Sequence, residues 1–111
     1  MPQQEDKPNR LIQVGPFELD EEKIELKKNG KVIPLKPKEL GLLTLMLKHP
    51  GQIMSKESLY DQVWGEEFFG FDNTVMVHIR RLREKIEEDP SNPRYLLTVK
   101  GLGYKLAVEE E

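Results

Sequence analysis

The stretch that most constrains this chain is residues 72–86, Asp-Asn-Thr-Val-Met-Val-His-Ile-Arg-Arg-Leu-Arg-Glu-Lys-Ile. Val75, Ile79, Leu82 and Ile86 recur at steps of four, three and four, which is one stripe of an α-helix. At roughly 100° per residue, Thr74, Val77, His78, Arg81 and Lys85 share a second face about 100° away. Arg80 and Glu84 flank that face and Arg83 sits behind it. The helix therefore has one apolar side and one side carrying cations, a hydroxyl, an imidazole and a small apolar group. Those groups suit a DNA major groove: charge for phosphates, guanidinium forks for guanine edges, and Val for a thymine methyl. An amphipathic surface helix with merely solvated arginines has the same pattern, and this stretch alone does not decide between them.

At 111 residues the chain is long enough for one domain with a modest core. It has no run of about 18 apolar residues and no signal-peptide pattern, so no membrane partner is expected. The absence of cysteine excludes a disulfide framework and a thiolate metal site, and fits a reducing, cytoplasmic setting. The net charge of -3 argues superficially against a nucleic-acid partner, but its distribution reverses that. Residues 1–26 hold seven acids against three bases, and Glu109, Glu110 and Glu111 close the chain. Residues 27–108 are left with 14 bases and 10 acids, and local positive potential is what a binding face needs.

Three segments are expected: a polar tether or tail at 1–9, a folded domain at 10–108 and an acidic tail at 109–111. Leu11 to Val14, Phe17 to Asp20, Ile24 to Lys28 and Val32 to Leu35 read as four short antiparallel strands. Asn29-Gly30 joins the last two, and both residues tolerate the positive φ of a type I′ turn. Pro37 and Glu39 suit the first turn of a helix whose body is apolar nearly all round, predicting a buried spine. His49 at its end reads as a C-terminal helix cation rather than a metal ligand. Ser55 is the expected N-cap of a second helix ending at Gly65, and Asp72 or Asn73 that of the third, which Pro90 ends.

Two features admit two readings. Residues 65–72 carry Phe68, Phe69 and Phe71: either two of them plug the core or part of the loop is a protein-docking patch. On the third helix, Arg80–Glu84 and Arg83–Glu87 could pair at i,i+4, whereas Arg81 faces Lys85 at that spacing. That like-charged pair is better explained by an anionic partner. After the helix, Tyr95 to Val99 and Tyr104 to Val108 are two more strands joined at Lys100-Gly-Leu-Gly103, a glycine-tipped hairpin. A cation at such a tip can reach a groove or a phosphate beside the helix, although an exposed lysine is common on any hairpin. No enzyme and no cofactor are expected: there is no glycine-rich phosphate loop, and the two histidines stand 29 positions apart without ligand spacing.

Leu35-Lys-Pro-Lys-Glu-Leu40, Val63-Trp64-Gly65, Thr74 to Lys85 and Thr98-Val-Lys-Gly-Leu-Gly-Tyr104 resemble the signature blocks of the OmpR/PhoB family, across about residues 10 to 108. These are the C-terminal effector domains of two-component response regulators. The resemblance implies an α+β winged helix-turn-helix: a four-stranded antiparallel sheet, three helices and a C-terminal hairpin wing. It implies promoter DNA binding, with Arg80 and Arg81 at base and phosphate contacts, Val77 near a base methyl, and Thr74, His78 and Arg83 at phosphates. Trp64 matches a backbone contact, Asn73 stands at the start of the recognition helix, Lys100 matches a minor-groove reader, and Thr98 and Tyr104 match wing positions near the DNA backbone. It further implies two domains head to tail on direct repeats, a polymerase contact at Glu66, Glu67, Phe68 and Phe69, and a receiver domain upstream of this chain. Three residues depart from the pattern. Lys36 stands where Thr or Ser usually caps the first long helix, Asn73 replaces a frequent Arg, and Lys100 replaces an Arg whose planar fork a lysine lacks.

Overall fold

The computed structural model describes residues 11–65 and 73–108. The expected tails at 1–9 and 109–111 lie outside the described residues, as do Glu66, Glu67, Phe68 and Phe69 with the rest of the phenylalanine loop. The chain runs through strands β1 (Leu11–Val14), β2 (Phe17–Asp20), β3 (Glu25–Lys28) and β4 (Lys31–Ile33). Helices α1 (Pro37–Lys48), α2 (Lys56–Trp64) and α3 (Thr74–Ile86) follow, then strands β5 (Leu96–Val99) and β6 (Gly103–Leu106).

The first four strands form one antiparallel sheet in chain order, and β5 and β6 form a separate hairpin. Period-two alternation sends Phe17, Leu19 and Leu26 inward while Glu18 and Lys27, which face each other across the sheet, point out. Asn29 and Gly30 have φ of 53° and 82°, the two positive values a type I′ turn demands, and they pair Lys28 with Lys31. Ile24, expected to open β3, instead lies in the preceding turn at φ 55° and is 69% exposed. The Asp20 carboxylate causes this by accepting the Glu22 and Lys23 amides at 3.0 and 3.1 Å, which closes the turn before the strand begins. Leu35, expected in β4, lies beyond its end with Pro34, which has no N–H to donate to a ladder.

In α1 the expected spine is real on one side: Leu42, Leu43, Met46 and Leu47 are buried. Leu40 and Leu45 are only half-buried and line a shallow cleft of about 670 Å³ with Ile24, Leu35 and Val63. Lys36 contributes no side-chain cap, and Glu39 reaches back instead to accept the Lys36 amide at 2.9 Å. Ser55 caps α2 by accepting the Ser58 amide at 3.1 Å, and Gly65 ends it at φ 75°. Asn73 precedes α3 without a side-chain cap, and Asp72 lies outside the described residues.

The α3 stripe Val75, Ile79, Leu82 and Ile86 is buried against α1 and α2, in a single core cluster that also takes in Phe17, Leu19 and Leu26 of the sheet. Leu96 and Leu106, cross-strand partners in the hairpin, belong to that same core, so the hairpin is welded to the body. Burial of each such side chain contributes about 1.5–3 kcal/mol. Reciprocal backbone bonds between Met54 and Tyr104, at 2.8 and 2.9 Å, hold β6 to the segment before α2. Gly103 makes this approach possible: a Cβ there would lie 2.1 Å from the Met54 carbonyl oxygen.

Candidate nucleic-acid interface

Two of the cations on α3 face water with nothing holding them. Arg80 and Arg81 are exposed and have no hydrogen bond or ion pair among the described residues. With Val77 and Glu84 they lie opposite the buried stripe, because about 100° per residue carries these four positions to the far side of the cylinder. The outward ridge is thus centred on Val77, Arg80, Arg81 and Glu84. This corrects the expected ridge of Thr74, Val77, His78, Arg81 and Lys85, from which His78 turns to Trp64 on α2 and Lys85 to Glu39 on α1.

Lys85 shows why. Its Nζ lies 2.6 Å from Oε1 of Glu39 on α1, and the Glu39 side chain is 1% exposed. Burial works to raise the Glu39 pKa, but the Lys85 hydrogen bond, the Lys36 amide and the two lysine charges outweigh it, and the carboxyl is held below its ordinary range. Oε2 of Glu39 is buried without a hydrogen-bond partner, so Oε1 carries the whole attachment. The anion that resolves the Arg81–Lys85 repulsion is therefore inside the protein.

Arg83 is held as well. Its Nε donates to the Leu96 carbonyl at 2.9 Å and its Nη2 to Oγ1 of Thr98 at 2.8 Å, and its guanidinium lies 6.0 Å from the Tyr104 ring centre. Neither expected i,i+4 ion pair forms among the described residues. Glu87 turns away from Arg83 and accepts the backbone amides of Arg94, Tyr95 and Leu96, at distances from 2.7 to 3.2 Å. Lys28 on β3 donates to the Ile86 carbonyl at 2.7 Å, occupying a free acceptor at the C-terminal end of α3. Side chains from α1, β3 and the β5–β6 hairpin thus fix the rotation and the depth of α3. Glu39, Glu87 and Lys28 went unrecognised in the sequence as contributors to this interface.

The other expected residues fall on the flanks. Trp64 ends α2 half-buried, stacked at 5.1 Å and 3° on Tyr60 and met edge-on at 5.0 Å by His78. Lys38 sits 5.6 Å from the Trp64 ring centre. Nδ1 of His78 is 2.8 Å from the Thr74 carbonyl, which can only accept, so Nδ1 carries the proton. Thr74 is half-buried and Asn73 exposed at the start of α3. Thr98 and Lys100 are exposed on the hairpin, and Tyr104 is half-buried beneath Arg83. Between α3 and the hairpin runs a cleft of about 910 Å³ lined by Arg80, Arg83, Glu84, Thr98 and Tyr104. No group of three or more His, Cys, Asp or Glu able to hold a metal occurs among the described residues.

A helix presenting free arginines opposite its core stripe, with a hairpin pinned beside it, defines a winged helix-turn-helix of the DNA-binding class. Residues 30–106 match the family described as transcriptional regulatory protein, C terminal. The chain belongs to that family, whose members are transcription regulators rather than enzymes, and it is a response-regulator output domain of the OmpR/PhoB kind. Sensory transduction protein RegX3 of Mycolicibacterium smegmatis is 44% identical over 96 residues, covering 86% of this chain and 42% of RegX3. The alkaline phosphatase synthesis transcriptional regulatory protein SphR of Synechococcus elongatus is 50% identical over 78 residues, covering 70% of this chain and 30% of SphR. The chain thus spans about two fifths or less of the length of these relatives. The RstA DNA-binding domain of Klebsiella pneumoniae, solved in complex with the RstA box, superposes with a TM-score of 0.83 at 28% identity, covering 88% of this chain and 97% of that one. DrrB of Thermotoga maritima, an OmpR/PhoB homologue, gives 0.78 at 30% identity, covering 88% of this chain and 44% of DrrB. No helix among the described residues is long and apolar enough to cross a membrane.

Proposed function

We propose that residues 10–108 bind double-stranded promoter DNA sequence-specifically, with α3 in the major groove and the β5–β6 wing over the adjacent minor groove. Arg80 and Arg81 reach base edges and phosphates, Val77 packs against a base methyl, and Lys100 enters the minor groove. Trp64, Asn73, Thr74 and His78 flank the DNA backbone. Arg83, Thr98 and Tyr104 together take a phosphate: two of the five guanidinium N–H donors are used in positioning the wing, which leaves three. Two copies sit head to tail on direct repeats about one helical turn apart. Glu66, Glu67, Phe68 and Phe69 face RNA polymerase, and an upstream receiver domain controls the whole in the cytoplasm.

One observation carries the reading: on a helix with four basic side chains outside its core stripe, the two that point away from the body are the two left without a protein partner. The complex of the related RstA domain with its RstA box supports it. The test is fluorescence anisotropy with duplexes selected from a random pool and with unselected duplex, over several salt concentrations. Tight, salt-dependent binding to the selected duplex and weaker binding to the random one is expected. Absence of binding to both at low salt would leave α3 as a surface for an acidic protein instead.

A further inference from the structure

The outward ridge of α3 carries one residue that an anion-binding surface has no use for. Glu84 is exposed, stands opposite the core stripe among Val77, Arg80 and Arg81, and makes no hydrogen bond or ion pair among the described residues. Arg80, four residues earlier on the same face, does not engage it. Its place in the last turn of the helix sets a negative charge against the negative end of the helix dipole. Beside it the cleft holds Arg83, Thr98 and Tyr104, the groups assigned above to a phosphate. In the free domain this carboxylate is therefore unsupported, and next to a phosphate backbone it would be repelled.

A carboxylate becomes favourable on this ridge only where the DNA supplies a donor. The major groove offers two kinds, the N4 amino group of cytosine and the N6 amino group of adenine. Adenine sets its amino group beside the N7 acceptor, which repels a carboxylate, whereas a cytosine edge presents its amino group without that neighbour. Glu84 lies three residues beyond Arg81, which at 1.5 Å per residue is about 4.5 Å along the helix, or one to two base-pair steps of ~3.4 Å.

We infer that Glu84 is a specificity-determining residue, accepting a hydrogen bond from a cytosine N4 amino group one or two base pairs from the pair read by Arg81. The assignment rests on the placement of α3 in the major groove proposed above. Its repulsion of phosphates also weakens binding to every duplex that lacks this cytosine, so discrimination comes from both the contact and the penalty.

The test is selection of bound duplexes from a randomised pool, followed by affinities on a panel of single-base-pair variants. It is run for the unaltered chain, Glu84→Gln, Glu84→Ala and Arg81→Ala, with circular dichroism to confirm folding. Glu84→Ala is expected to lose about tenfold in discrimination at one C·G pair while binding random duplex more tightly. Glu84→Gln is expected to move the preference at that pair from cytosine toward adenine, because an amide both donates and accepts and matches adenine N6 and N7. If Glu84→Ala raises affinity for all duplexes equally with base preferences unchanged, Glu84 is only a repulsive charge and the inference is overturned. If Arg81→Ala also leaves every base preference intact, the placement of α3 fails with it. A loss of preference in Arg81→Ala alone overturns the Glu84 assignment and leaves that placement standing.

Discussion

On α3, Arg80 and Arg81 stand free while Arg83 and Lys85, two to five positions further on, are bound into the protein. All four are basic residues on one helix, and in the sequence nothing but position separates them. What separates them in the fold is the direction each takes around the helix: Lys85 meets the start of α1, Arg83 meets the wing, and the other two meet solvent. A recognition helix needs both kinds. Free guanidinium groups can only read a sequence if the helix beneath them keeps a fixed rotation, and the bound pair supplies that. The difference teaches that an intramolecular acceptor turns a cation toward positioning: Lys85 acts through the helix it anchors, and Arg83 keeps for a phosphate only the donors the wing leaves over.

The sharpest way to break this comparison is to remove the deepest attachment. Lys85→Met leaves the Glu39 carboxylate buried without its cation, and stripping one partner from such a pair costs about 3–5 kcal/mol. A third of the Lys85 side chain remains in water, so a loss at the low end, about 3 kcal/mol, is expected in urea unfolding. An unchanged unfolding midpoint together with weakened DNA binding would put Lys85 with the free cations. The same attachment has a pH signature. Glu39 has a depressed folded pKa, so its contribution is present above the unfolded value of about 4.5 and is lost as pH falls through the folded one. The stability gap between the unaltered chain and Glu39→Gln should therefore narrow below about pH 4.5, measured by unfolding across an acid series. A gap constant through that range would mean the lysine does not stabilise the charged form.

Removing the wing attachment should cost somewhat less. Arg83→Ala deletes two charge-assisted hydrogen bonds to Leu96 and Thr98, a loss of about 2 kcal/mol. Amide exchange should accelerate in β5 and β6 more than in α1. Arg83→Lys should recover little, since a single ammonium cannot span two acceptors as the planar fork does. Equal acceleration everywhere would mean that Arg83 supports the fold in general rather than the wing.

Arg81→Ala tests the other side. Stability should stay within about 0.5 kcal/mol, because the side chain touches solvent, while specific DNA binding weakens by about 2 kcal/mol. An electrophoretic shift at unaltered affinity would remove Arg81 from the reading surface.

How much of this could be read from the sequence depended on how far apart the cooperating residues are. The α3 stripe was legible because Val75, Ile79, Leu82 and Ile86 carry their spacing with them, and the Asn29-Gly30 turn because its φ requirements are local. The start of β3 was misplaced by one residue because the Asp20 carboxylate, not strand propensity, decides where that turn closes. The bound cations were illegible for a stronger reason. Lys85 and Glu39 are 46 positions apart and Lys28 and Ile86 are 58 apart, and no periodicity links such pairs. The like-charged Arg81–Lys85 spacing did point to an anion, but spacing could not show that the anion was Glu39. Glu87 read as an i,i+4 partner of Arg83 because the amides that claim it lie seven to nine positions further on, across a turn whose path spacing does not show.

Lys100 gives the smallest expected effect and bears on the free side of the comparison from outside α3. It is exposed at the end of β5, where Leu102 donates to the Val99 carbonyl at 2.9 Å and closes the turn beneath it. A lysine there is a point charge, so it can neutralise phosphates or enter a narrow minor groove without reading base edges. Lys100→Ala should lower affinity for selected and random duplexes by similar factors, and the slope of log affinity against log salt should become shallower by about one. Stability should not change, because no backbone bond of the turn depends on the side chain. Arg81→Ala should differ in kind, losing more affinity on the selected duplex than on the random one. If Lys100→Ala instead erased sequence preference, the wing would be reading bases, and the division between positioning by bound residues and reading by the free arginines of α3 would have to be redrawn.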